Sequence, residues 1–182
     1  GLKKAVWITW KYAAGEEAFE GFKEGYLAAG GTIVKELGLP FPNVEFQALL
    51  TEIAALKPDA VACFFAGGGA AKFIKDYAAA GLKGKIPLYG SGFLTEGVLD
   101  AAGPAADGIY TILHYSDSLD TARNKAFRLA YAKTFKLQPD VYAVQGYDSG
   151  LLLLQGANAV KGDLSNKKAL YAALEGATID SP

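Results

Sequence analysis

Hydrophobic positions in the first part of the chain fall in short runs that alternate with stretches of helical period. The runs Lys3–Thr9, Thr32–Leu37, Ala60–Phe65 and Ile86–Tyr89 are rich in bulky and β-branched residues and read as strands. Glu16–Ala29 carries Phe19, Phe22, Tyr26 and Leu27 at helical spacing and ends at Gly30-Gly31. Pro40 and Pro42 break the chain into a loop, Phe46–Leu56 reads as a helix closed by Pro58, and Ala70–Ala80 as a helix ended by Gly81. Thr95–Ala102 predicts a short helix and Gly108–His114 a fifth strand. Strands alternating with helices predict an α/β fold, a parallel sheet covered on both faces. Ligands of such sheets sit in the crevice beyond the carboxyl ends of the strands.

Beyond Ser116 the alternation stops. Thr121–Phe135, Val141–Val160 and Lys167–Leu174 predict successive helices with no strand between them, Ser165 serving as N-cap of the last. Val144, Tyr147, Leu151, Leu152 and Leu154 need an apolar partner surface that a sheet already covered on both faces does not offer. Either these helices cap the sheet in an unusual way, or their natural partner sheet is missing from this chain.

Composition narrows the function classes. The 182 residues are 51% hydrophobic and 20% charged, enough to bury a core, and 18 basic residues are interleaved with 19 acidic ones. No basic block is present, which argues against nucleic acid as partner. No apolar run is long enough for direct membrane insertion. The chain has no methionine, runs at once into a strand and ends abruptly at Ser181-Pro182, so it is expected to be a fragment of something longer.

Sites that carry chemistry are mostly excluded by spacing. Gly67-Gly68-Gly69 follows a strand, but the dinucleotide fingerprint started at Gly67 places Lys72 where Gly or Ala is required. Gly84-Lys85-Ile86 lacks the Ser or Thr of a phosphate loop, and neither Gly90-Ser91-Gly92 nor Ser149-Gly150 has the nucleophile-elbow spacing. Cys63 reads as a buried strand thiol, and the lone His114 as a structural or hinge residue. Glu16, Glu17, Glu20 and Glu24 make a solvated helix start, and no residues converge as metal ligands. The expectation is a protein without catalytic residues, metal or cofactor. What remains is a set of strand ends on one sheet edge, including Tyr12, Ala13, Phe65, Ala66, Gly67, Gly68, Ser91, Gly92 and Phe93. Glycine and aromatic residues without acids or bases suit holding a molecule better than transforming it.

The order of these segments resembles the branched-chain amino-acid class of type I periplasmic substrate-binding proteins, the solute receptors of ABC importers. The resemblance spans the chain. It rests on Tyr12-Ala13-Ala14-Gly15 after the first strand, Pro58-Asp59-Ala60-Val61 leading to Phe65-Ala66-Gly67-Gly68, and Ala80-Gly81-Leu82 before Tyr89-Gly90. It continues through Ala106-Asp107-Gly108 and Tyr142-Ala143-Val144-Gln145-Gly146-Tyr147-Asp148. It implies a ligand clamped between two α/β lobes, with residues 1–115 as the second lobe and 116–182 as an incomplete helical portion of the first. It also implies closure about the strand near Tyr110–Ser116, a membrane permease as partner and a periplasmic, exported bacterial protein. The helices of residues 120–160 would then be free to self-associate.

By the same resemblance the ligand would touch Tyr12, Ala13, Phe65, Ala66, Gly67, Gly68, Gly92 and Phe93. Amino-acid binders of the family carry an aromatic residue at the place of Gly68 or Gly69, and a carboxylate for the ligand's ammonium at the place of Gly92. Burying an ammonium without that carboxylate would cost several kcal/mol. The expected ligand is therefore a small organic acid, an aromatic carboxylate in preference to a branched-chain amino acid. Two alternatives remain: a ligand-sensing domain of a regulator with the same fold, marked by a fused output domain, or an enzyme whose catalytic residues lie elsewhere.

Overall fold

The computed structural model describes residues 1–182, which divide into two compact units, Gly1–Leu113 and His114–Pro182. The first unit is built on five parallel strands: β1 (Lys4–Lys11), β2 (Thr32–Pro40), β3 (Ala60–Phe64), β4 (Leu88–Ser91) and β5 (Tyr110–Ile112). Their spatial order is β2-β1-β3-β4-β5. The connections run through α1 (Ala13–Ala28), α2 (Gln47–Leu56), α3 (Gly67–Ala79) and the single turn α4 (Leu99–Ala102).

Order and handedness together decide where the helices go. From β1 the chain steps outward to β2, whereas every later step runs the other way across the sheet. Right-handed crossovers therefore put α1 on one face and α2, α3 and α4 on the other. The α2–α3 face holds the main core, with Val6, Ile8, Phe46, Leu50, Ile53, Val61, Phe73 and Ile74 almost without solvent contact. The α1 face holds a smaller cluster of Trp7, Phe19 and Ala62 with Phe22 and Phe64 against it. The expectation of cover on both faces is met only in part. No helix follows α1 onto its face, so the sheet over β4 and β5 is bare: Ile112 is 81% exposed and Tyr110 59%. An apolar trough of about 560 Å³ runs along it between α1 and β5, lined by Trp7, Phe22, Phe64, Tyr89, Tyr110 and Ile112 among others.

Several boundaries also differ from expectation. β2 runs on to Pro40, pairing Gly38, Leu39 and Pro40 with Thr9, Trp10 and Lys11. A terminal proline is tolerated there because β2 is an edge strand. α1 and α3 begin earlier than their apolar periodicity, taking in Ala13 and Gly67. Thr95–Ala102 is not one helix: a 3-10 turn at Gly92–Leu94 precedes α4, and a second follows at Gly103–Ala106. β5 keeps only Tyr110–Ile112 of Gly108–His114.

The second unit consists of α5 (Ala122–Phe135), α6 (Val141–Ala159) and α7 (Lys167–Glu175). Asn124, fully buried, accepts a hydrogen bond from the Tyr115 hydroxyl and donates to the carbonyls of Asp117 and Leu119, which fixes the segment before α5. Thr121 and Asp140 cap α5 and α6. Asn166, not Ser165, caps α7, its side chain accepting from Ala169 N–H, while the Ser165 hydroxyl bonds Asp163. Leu129, Phe135, Leu153 and Leu154 remain exposed.

The start of the sheet is pinned by one carboxylate. Asp59 Oδ2 accepts from the backbone N–H groups of Lys3 and Lys4, each at 2.8 Å, tying the entry of β3 to that of β1. These bonds hold its pKa below the ordinary 3.8, so its stabilisation is complete above that value and is lost as pH falls through the lowered one. Asp59→Asn is expected to lower the melting temperature at pH 7. The gap to the unsubstituted chain should narrow below about pH 4, a comparison that circular-dichroism melts across pH would make.

Candidate functional site

Because all five strands are parallel, every strand-to-helix turn opens at the same sheet edge. There the side chains after adjacent strands form a row of rings. Phe41 follows β2, Tyr12 follows β1, Phe64 ends β3 and Phe93 follows β4, in the spatial order of the strands themselves. Phe41 and Tyr12 are stacked, centroids 5.2 Å apart with planes 20° from parallel. Tyr12 to Phe64 is 6.4 Å and Phe64 to Phe93 is 6.2 Å. Beneath Phe41 and Tyr12 lies the Trp10 indole, edge-on to both rings. Its N–H donates to the Asn43 carbonyl at 2.7 Å, which anchors the loop that carries Phe41.

Between the rings lie the starts of α1 and α3. Tyr12 and Ala66 occupy the N-cap positions in extended conformation, and neither helix has a side-chain cap. First-turn N–H groups have no intrahelical acceptor and carry the positive end of the helix dipole; Glu16 already stands in the first turn of α1, whereas the first turn of α3 holds no acidic residue and favours an anion. The tyrosine fits the same ligand. Burial raises the Tyr12 hydroxyl above its ordinary pKa of 10.0, keeping it a neutral donor through and beyond the neutral range.

The glycines of this edge are of two kinds. Gly67 and Gly68 border open space, where a Cβ would meet nothing within 4 Å. At Gly69 a Cβ would come within 2.5 Å of the Trp10 ring, and at Gly92 within 2.5 Å of Leu113 Cβ. The place of the expected ammonium-pairing carboxylate is thus not merely vacant at Gly92; Leu113 fills it.

Of the expected contact residues, Tyr12, Ala13, Ala66, Gly67, Gly68 and Phe93 lie at this edge with exposed or half-buried positions. Phe65 does not present its ring there. It is fully buried on the opposite face of the sheet, 4.5 Å from Phe73 and 5.3 Å from Phe46 between ring centroids. Gly92 is buried too and offers backbone only. Sequence reasoning passed over Phe64 and Phe41. Proline-flanked Phe41 read only as part of a break, though the rule that sites gather at strand ends applies equally to the end of β2. Cys63 is a free thiol buried in the core, its pKa pushed up by desolvation, and is unreactive there.

A parallel sheet with an aromatic, anion-favouring edge defines a binding fold, and comparison with known proteins places it. The chain belongs to the periplasmic binding protein family, whose sequence profile matches residues 1–182. It is 32% identical over 130 residues to the Leu/Ile/Val-binding protein homolog 6 of Brucella abortus (strain 2308), a match covering 70% of this chain and 33% of that protein. Among solved structures, it is similar to the solute-binding protein of an ABC transporter from R. palustris in complex with benzoate. That match has 58% identity and a TM-score of 0.93, covering 100% of this chain and 50% of the other. A solute-binding protein of an ABC transporter from Rhodopseudomonas palustris BisB5, in complex with 3,4-dihydroxy benzoic acid, has 36% identity and a TM-score of 0.89, again over 100% and 50%. The chain therefore spans about a third of the curated relative and half of the solved chains.

The buried position of Phe65 generates a test of its role. Phe65→Ala is expected to destabilise the first unit by about 3–5 kcal/mol, as truncation of a core phenylalanine does. Phe93→Ala, at a half-buried position, should cost far less, so chemical denaturation of the two variants separates core from rim.

Proposed function

We propose that this chain supplies one wall of the ligand cleft of an extracytoplasmic solute-binding protein serving an ABC importer, and that the ligand is a small aromatic carboxylate. The observation that carries the reading is the row of rings at the carboxyl edge, flanked by two uncapped helix starts. Rings accept a planar apolar body, and the acid-free N-terminus of α3 with the Tyr12 hydroxyl accepts a carboxylate. Leu113 in the place of a carboxylate at Gly92 disfavours an amino acid, whose ammonium would find no counter-charge there. The benzoate and dihydroxybenzoate complexes of the two R. palustris relatives support the same chemical class.

In this reading the first unit is the second lobe of the receptor and the second unit a helical portion of the first lobe, with closure about the segment near Tyr110–Ser116. The protein works by capture and release without catalysis, in the periplasm, and delivers to a membrane permease. No helix is long and apolar enough to cross a membrane. The two R. palustris relatives are solute-binding proteins of ABC transporters, which supports the transport reading over a ligand-sensing regulator. The exposed Leu129, Phe135, Leu153 and Leu154 support self-association of the second unit. Sedimentation of the chain should then depend on concentration, and a monomer at every concentration refutes that element.

Ligand-observed saturation-transfer NMR on the 182-residue chain tests the ligand class. Benzoate should bind at about millimolar strength, since one wall supplies only part of the contacts, and leucine should give no signal. A leucine signal without a benzoate signal would overturn the assignment.

A further inference from the structure

We propose that Phe41 is a specificity-determining residue of this site, selecting a planar ring over an aliphatic body of the same size. The inference rests on the ligand class proposed above and goes beyond it by assigning the selection to one side chain.

Phe41 is the outermost ring of the row and the only one whose strand, β2, is the sheet's edge. As a residue it is 56% exposed. One side of the ring lies on apolar surface, its plane 20° from parallel to Tyr12 and 89° from that of Trp10, centroids 5.2 Å from each, and the rest of it stays open. The contacts are geometric constraints on orientation as much as burial: stacking on one ring and edge contact with another leave little rotational choice. The loop beneath is equally fixed. Trp10 Nε1 holds Asn43 from below, the Asn43 N–H donates to the Pro40 carbonyl, and the Asn43 side chain accepts from Glu45 N–H. A large apolar side chain is thus held rigidly at the site's rim while its surface stays free.

Such a ring contributes dispersion to any apolar ligand but favours a flat π-system through its quadrupole. Open space over Gly67 and Gly68 gives room for a ligand along the same edge. Phe41 therefore discriminates by shape and electron distribution, not by charge.

The test compares benzoate with cyclohexanecarboxylate, which share a carboxylate and differ in ring character. Affinities are read by ligand-observed NMR on the full chain, unsubstituted and as Phe41→Leu and Phe41→Tyr. Phe41→Leu should weaken benzoate about three- to tenfold, the range of a single aromatic contact, and leave cyclohexanecarboxylate within twofold. Phe41→Tyr, which keeps the ring, should retain the preference for benzoate. If Phe41→Leu weakens both acids equally or neither, the specificity role is overturned while the ligand class stands. If the unsubstituted chain binds neither acid, the ligand class itself falls and this inference with it. Melting curves confirm folding of each variant, and the exposed position predicts little change.

Discussion

Parallel pairing of β1 with both β2 and β3 is the constraint on which the rest of the structure depends. Val6, Trp7 and Ile8 are sealed on both faces of the sheet, so β1 has one register available: a slip by one residue would exchange the partners of both helical layers. Once β1 is fixed, right-handed crossovers settle the side on which each helix lies, and every connecting turn must emerge at the same edge. The gathering of Tyr12, Phe41, Phe64 and Phe93 follows from that geometry. None of these rings is near another in sequence except through the strands that deliver them.

Strand and helix content was legible because the relevant segments are buried on defined faces. β1 and β3 are continuous apolar runs, and α1 shows its periodic aromatic stripe. Short, exposed elements were legible only in outline: the fifth strand was expected over Gly108–His114, but β5 is three residues long and exposed throughout, so no burial pattern marks its ends. The open α1 face was invisible for a different reason. Cover depends on the direction and length of each crossover, and the β4–β5 connection, built from two 3-10 turns and a single helical turn, packs against α3 instead.

The site shows the same division. Tyr12 and the glycine turn were found because strand ends are recognisable in sequence. The choice between Phe64 and Phe65 was not, because it rests on strand parity. Val61, Cys63 and Phe65 face the α2–α3 layer, whereas Ala62 and Phe64 face α1. A run that is apolar at every position conceals which of two adjacent phenylalanines reaches the rim, since the alternation that would reveal it is absent.

Trp10 and Gly69 carry a consequence for how such a site can change. The indole already occupies the volume that a side chain at position 69 would need, so the two positions, on different elements, share one allotment of space. Bulk can sit on the strand or on the helix start but not on both. Widening or narrowing this corner of the cleft is then a two-position event, in which enlargement at 69 requires contraction at 10. Contraction at 10 would also release Asn43 and with it the loop that holds Phe41. Pocket width and rim geometry are coupled through a single indole, and drift at positions 10 and 69 is confined to paired steps.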